Sequence, residues 1–264
     1  MNKILIQQMR QLEKQEQKML NQPENSLMKT TVSPFMDKIQ NKIPVKLKST
    51  LDTAFYKGFQ LVFEKGSSYI EKTYNKDKIE MEYDINNYAV DKKFTKRHFK
   101  KLDKQSGQSG MLNSTFSILE GGVLGLLGIG LPDIPLFLSV IVKTIYEISL
   151  SYGYQYNTAE EKTYILLLIC GAITKGEKQK EFDRELELLG EKIDQNIVVD
   201  CNTEKQMKVT AGIFSDALIT AKFIQGIPIV GVIGGVVNYS ILNRVSKYTR
   251  IKYKKRYLQK KIAE

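Results

Sequence analysis

Tryptophan is absent from the 264 residues, histidine occurs once, at His98, and cysteine twice, at Cys170 and Cys201. One histidine excludes a multi-histidine metal site within the chain, and its place in a lysine-rich run suits a solvated surface better than a catalytic triad. Two isolated cysteines form neither a disulfide framework nor a metal-binding spacing, which suits a reducing compartment. No glycine-rich loop ends in Gly-Lys-Ser/Thr, so a phosphate-cradling P-loop is excluded. No metal or cofactor is expected. Ile4-Leu5-Ile6 is too short for a signal-peptide core, and a cytoplasmic protein is expected. Acid is also scarce: 29 Asp and Glu face 40 Lys and Arg, and the formal charge of +11 implies an anionic partner, nucleic acid or acidic lipid.

What the chain does have is a long apolar region at residues 118–154, with Asp133 the one formal charge between Glu120 and Lys143. Gly121, Gly122, Gly125, Gly128 and Gly130 space its first part, Leu131-Pro132-Asp133-Ile134-Pro135 breaks it, and an aliphatic helix pattern follows. Glycine costs about 1 kcal/mol against alanine in a helix interior, so this density serves close backbone approach. The pattern predicts a tight helical hairpin, packed in a soluble core or against lipid through a small-xxx-small face of Gly121, Gly125 and Gly128. Each arm is shorter than the roughly 20 apolar residues of a bilayer span.

Before the hairpin, Leu5, Leu12 and Met19 recur every seven residues and predict an exposed or partner-seeking helix over 3–21. A linker follows from Pro23. After Pro44 a second helix runs to about Lys65 with Leu47, Leu51, Phe55, Phe59 and Val62 on one face; Gly66-Ser67-Ser68 is expected to break it. Residues 76–110 turn polar, with Lys92, Lys93, Lys96, Arg97, Lys100, Lys101 and Lys104 forming either a solvated face or a contact for anionic lipid.

After the hairpin, Tyr152-Gly153-Tyr154 reads as a helix stop. Asn157 or Thr158 caps the next helix, whose body from Tyr164 to Ile173 is apolar all round and must be buried. Residues 177–194 predict a surface helix on Phe182, Leu186, Leu189 and Ile193, and Thr203 is expected to cap the next. Residues 223–242 are apolar and glycine-rich, approach a bilayer span in length, and carry Gly231, Gly235 and Asn238. Nine bases follow before Glu264, interleaved with Tyr248, Tyr253 and Tyr257. A basic helix beside the most lipid-like segment points to anionic lipid, held by Arg244, Lys247, Arg250, Lys254, Lys255 and Arg256. Nucleic acid ranks lower because no nucleic-acid motif accompanies the bases.

The glycine-rich run, Asp133-Ile134-Pro135, Glu147 ahead of Tyr152-Gly153-Tyr154, the acidic start at Glu160-Glu161 and the late Pro228, Gly231, Gly234, Gly235 and Asn238 together resemble the EcsC family of bacterial proteins. The likeness spans residues 38–258 and includes the Asn41-Lys42-Ile43-Pro44 entry; Gln155 departs from it, since the family tends to carry an acid there. The resemblance implies an all-helical protein without an ATPase motif, associated with an ABC-transport operon linked to secretion, competence and sporulation. It implies no settled biochemical activity.

Carboxylates in apolar company are the remaining chemistry. Asp133 suits a helix cap. Glu147, four residues after Lys143, makes either a surface pair or, if buried, a proton-transfer or ligand group with a raised pKa. Asn238 either hydrogen-bonds across a helix interface or faces Asp133 or Glu147 across a polar pocket.

The reading is therefore an all-α, multi-helix bundle with a central glycine-rich apolar hairpin. Its parts are an N-terminal helix and linker at 1–37, an EcsC-like domain at 38–258, and a basic end at 259–264. Gly121, Gly125, Gly128, Gly231 and Gly235 pack helices together. The expected function is a non-enzymatic accessory at the cytoplasmic face of the membrane, peripheral or partly inserted, with anionic lipid and a membrane transporter as partners. The alternative is an enzyme using Asp133, Glu147 and Asn238 on a lipid or envelope substrate.

Overall fold

A computed structural model describes residues 2–21, 45–108, 134–224 and 234–264, with backbone alone at 45, 108, 221–224 and 234–239. Among these residues every regular element is a helix. Helix α1 (Lys3–Leu20) begins at Asn2, whose side chain accepts from the Ile4 amide at 2.9 Å. Its Leu5, Leu12 and Met19 stripe is buried, the partner-seeking of the two alternatives the periodicity left open. The partner it finds is the final helix of the same chain.

Helix α2 (Val45–Gln60) buries Leu51, Phe55 and Phe59. The break expected at Gly66-Ser67-Ser68 does not occur. The chain instead passes through a wide π-helical turn (Leu61–Gly66) into α3 (Ser67–Glu71), and Ser67 Oγ donates back to the Phe63 carbonyl at 3.3 Å. A side-chain hydroxyl thus adds a bond to a carbonyl of the wide turn. The polar stretch then forms two helices, α4 (Lys76–Lys92) and α5 (Lys96–Gln108), which pack together.

Helix α6 (Ile134–Ser151) is the aliphatic helix of the sequence pattern, buried nearly throughout from Phe137 to Ser151. It packs against α2, α4 and the final helix. By length and hydropathy it is the one described helix that could cross a membrane, but 78% of that window is buried inside the protein.

Its stop has the expected geometry. The Tyr154 amide donates to the Ser149 carbonyl at 3.0 Å, the Gly153 amide to Leu150 at 2.9 Å, and Gly153 has φ +81°. This paired bonding closes the helix with a left-handed residue.

Helix α7 (Ala159–Ile173) starts at Thr158, whose hydroxyl accepts from the Glu161 amide at 3.2 Å. Its apolar circumference is explained by packing on three sides, against α8 (Gly176–Asp194), α9 (Thr203–Ile224) and α10 (Gly234–Ala263). At Gly171 an added Cβ would lie 2.8 Å from the Tyr248 hydroxyl, so glycine sets the approach of α7 to α10. Helix α9 is capped by Asn202, not Thr203: the Asn202 side chain accepts from the Lys205 amide at 2.8 Å. Thr203 Oγ1 turns instead to Thr163, 3.2 Å away. Phe214 of α9 meets Phe55, Phe59 and Phe137 with ring centroids 5.1, 5.8 and 6.0 Å away, joining α2, α6 and α9. Such ring pairs contribute about 0.5–1.5 kcal/mol each beyond their buried area.

Helix α10 corrects the largest expectation. Thirty residues long, it is not a free basic tail but a spine against α1, α6, α7 and α8, burying Val245, Tyr248, Lys252, Tyr253, Arg256 and Tyr257.

At Gly153 an alanine Cβ would meet the Tyr83 ring at 2.2 Å in a backbone conformation that alanine disfavours. Gly153→Ala is expected to lower stability by more than the roughly 1–2 kcal/mol of the backbone strain alone, read by thermal or urea denaturation. A change below about 0.5 kcal/mol contradicts this geometry.

Candidate functional site

Two buried cations organise α10. Lys252 is 1% exposed, and its ammonium lies 2.5 Å from Glu16 of α1 and 2.6 Å from both Asp183 and Glu187 of α8. Burial alone would lower its pKa, but the attraction of Glu16, Glu187 and Asp183 outweighs that and holds it above the ordinary lysine value. The three carboxylates lie close enough together to hold a metal ion, and the Lys252 ammonium occupies the point they share. Lys255 bridges Glu16 and Glu187 beside it. Tyr248 donates to Asp183 at the same place.

One turn further on, Arg256 makes a two-point pair with Asp194, Nε to Oδ2 at 2.9 Å and the terminal nitrogen to Oδ1 at 2.6 Å. The same nitrogen reaches Glu161 at 2.7 Å. Its guanidinium carbon lies 4.3 Å from the Tyr154 ring centroid and 4.6 Å from that of Tyr164. A planar cation between aromatic faces and carboxylates is well matched in both charge and shape.

Of the six bases assigned to lipid, Lys255 and Arg256 are therefore committed inside the protein, and Lys254 is paired with Asp103 at 2.7 Å. Arg244 donates to the Thr174 carbonyl at 3.0 Å, while Lys247 is exposed and Arg250 half-buried. The local sequence hides this division because every carboxylate partner lies at least 62 residues away along the chain. One signal was present: Glu16 falls on the same face of α1 as Leu5, Leu12 and Met19, an acid placed where a core residue belongs.

Glu147 is buried, not part of a surface pair. It is 2% exposed, and its Oε2 has no hydrogen-bond partner among the described residues. Burial pushes its pKa up to about 7 against the opposing charge of Lys143, whose ammonium is committed to the Thr73 carbonyl at 3.0 Å. Tyr146, the residue before Glu147 on α6, belongs to a tyrosine cluster. Tyr146 stacks on Tyr156 with centroids 3.7 Å apart; Tyr74 donates to Tyr156 at 2.6 Å, and Tyr156 donates to Glu71 at 2.9 Å. A buried carboxyl that titrates near neutrality can hold a proton. Gln155, the departure from the expected acid, donates to Glu80 at 2.9 Å, so it serves the α4 contact.

The other predicted site residues are not brought to Glu147 by anything described. Asp133, Gly121, Gly125, Gly128 and Gly231 lie outside the described residues, as does the glycine-rich arm of the hairpin. Asn238 and Gly235 lie in the first turns of α10, where the backbone alone is described.

The surface that sequence reasoning left open is on α4 and α5. Met81, Ile85 and Tyr88 are 57, 62 and 63% exposed and follow the i, i+4, i+7 spacing of one helix face. All seven bases from Lys92 to Lys104 are exposed, and none has an acidic partner among the described residues. The α4–α5 contact, with Gln105 bonded to Asn86 and to the Ile79 carbonyl, places the two sets on adjoining helices.

These features define an all-helical protein with a cation-centred core and a separate basic, partly apolar surface. The chain belongs to the EcsC family: the family model described as the EcsC protein family matches residues 6–258. It is also similar to Protein EcsC of Bacillus subtilis (strain 168), 26% identical over 151 residues. That match covers 55% of this chain and 59% of the relative, so it spans less than two thirds of the relative's length. No solved structure matches.

Because the folded-state pKa of Glu147 is raised from 4.5 to about 7, the carboxyl favours folding most below about pH 4.5. That contribution is lost as pH rises through 7, leaving a buried charge above it. Glu147→Gln is expected to match wild-type stability near pH 5 and to exceed it at pH 8 by on the order of 2–3 kcal/mol, measured by denaturant unfolding at both pH values. Equal stability of the two proteins at pH 8 contradicts a buried, unpaired carboxylate.

Proposed function

We propose that this EcsC-family protein is a non-enzymatic accessory that docks on the anionic face of a membrane and assists a transport or envelope process there. The observation that carries the reading is the α4–α5 pair, where seven exposed bases lack acidic partners among the described residues and α4 also exposes Met81, Ile85 and Tyr88. Each base near an anionic leaflet adds about 1 kcal/mol at low salt. Seven bases together outweigh what any one exposed apolar side chain supplies by partial insertion. The apolar side chains add what charge alone does not, a contact that survives partial screening. The role beside an ABC transporter is the one the family resemblance implies. The membrane contact moves from the C-terminal helix to α4 and α5, because Lys254, Lys255 and Arg256 are spent on internal carboxylates.

Co-sedimentation tests this directly. The wild-type protein is expected to pellet with vesicles containing phosphatidylglycerol, to stay soluble with pure phosphatidylcholine, and to be largely released at about 0.5 M salt. Lys96→Glu, Arg97→Glu, Lys100→Glu and Lys101→Glu combined should weaken binding more than tenfold, and Ile85→Ser should raise its salt sensitivity. Wild-type protein that remains in the supernatant with anionic vesicles at low salt overturns the proposal.

Glu147 favours a second reading, an acid–base enzyme on a lipid or envelope substrate, because its Oε2 is buried without a partner and its pKa lies near 7. On that reading Glu147→Gln abolishes cellular function while the protein stays folded; retained function excludes it.

A further inference from the structure

A second basic feature lies along α10. Between α1, the end of α5, Tyr152 and the first half of α10 lies a groove of about 660 Å³, within the size range of small-molecule sites. Arg244, Lys247, Arg250 and Lys254 line it at spacings of three, three and four, so one face of α10 presents a ladder of cations. Lys18 of α1 adds a base from the opposite wall. Asp103 is the acidic residue of the lining, and it is already engaged by Lys254 at 2.7 Å and by the Tyr152 hydroxyl at 3.2 Å.

The contrast with the next turns of the same helix is informative. Lys252 and Arg256 each have two or three carboxylates within 2.7 Å. Lys247, Arg250 and Lys18 have no acidic partner among the described residues. Among the described residues Arg244 is held by the Thr174 carbonyl, and its Nε is buried without an acceptor. A half-buried guanidinium left short of acceptors costs free energy unless a ligand completes it. Cations facing one another across a concave wall also focus positive potential into the groove. Leu12, Met19 and Ile251 supply an apolar side to the same cavity.

We infer that this groove is a binding site for a phosphorylated small molecule, its phosphate held by Arg244, Lys247 and Arg250 and its carbon skeleton lying toward Leu12, Met19 and Ile251. A free phosphate ester and a lipid headgroup share this chemistry. The lining of the groove includes none of Lys96, Arg97, Lys100 or Lys101, so either proposal can fail without the other.

Isothermal titration of the full chain tests it with two probes, inorganic pyrophosphate and the water-soluble dihexanoyl phosphatidic acid. Saturable binding of pyrophosphate is expected, weakened at least about tenfold by Lys247→Gln combined with Arg250→Gln. These two side chains have no ion pair among the described residues, so the double variant should keep its melting temperature. The four-residue charge reversal on α5 should leave pyrophosphate affinity unchanged. Tighter binding of dihexanoyl phosphatidic acid than of pyrophosphate identifies a lipid headgroup as the source, and the reverse order identifies a free phosphate ester. The proposal is overturned if neither probe binds saturably, or if the double variant binds as the wild type does.

Discussion

A lysine ammonium and an arginine guanidinium cannot be taken out of water unless carboxylates go with them, and the fold is arranged around meeting that condition on α10. Each isolated buried charge would cost several kcal/mol even after relaxation. Lys252 therefore draws Glu16 from α1 and Asp183 and Glu187 from α8, and Arg256 draws Glu161 from α7 and Asp194 from α8. The carboxylates come from three different helices, so the requirement fixes how those helices are placed around α10. Apolar packing supplies most of the driving force, while the ion pairs fix which side of α10 faces inward. Burying paired charge in place of hydrocarbon is weak evidence for stability and better evidence for a unique arrangement.

The same division explains why one basic helix has two kinds of charge. Toward its C-terminal half Lys252, Lys255 and Arg256 are neutralised by long-range partners, with Arg256 between Tyr154 and Tyr164. Toward its N-terminal half, Arg244, Lys247 and Arg250 face a groove whose acid is already engaged. Net positive charge is therefore not spread evenly. Among the described residues, that groove and the α5 surface each bring together several bases without an acidic partner.

Much of the helical scaffold was legible because it rests on local physics. The stripe from Leu51 to Val62, the apolar circumference of α7 and the glycine stop at Tyr152-Gly153-Tyr154 follow from periodicity and backbone conformation over a few residues. The π-helical turn at Leu61–Gly66 was not legible, since a glycine followed by two serines reads locally as a helix break. Nor was the inward half of α10. A run of lysines and arginines carries no sign of distant carboxylates, and a basic helix that binds lipid has the same local composition as one that is buried and paired. The burial of Glu147 lay between these cases: its apolar neighbours hinted at it, but only the packing of α6 against the other helices settles it.

Hydrogen–deuterium exchange along α10 tests this account most directly. If α10 is the spine of the fold, amides from Leu242 to Leu258 exchange only through global unfolding, with protection matching that of α7 and a shared loss under denaturant. Exchange of that stretch well before α7, at the rate of a frayed terminal helix, would contradict the account and return the basic residues to a solvated tail.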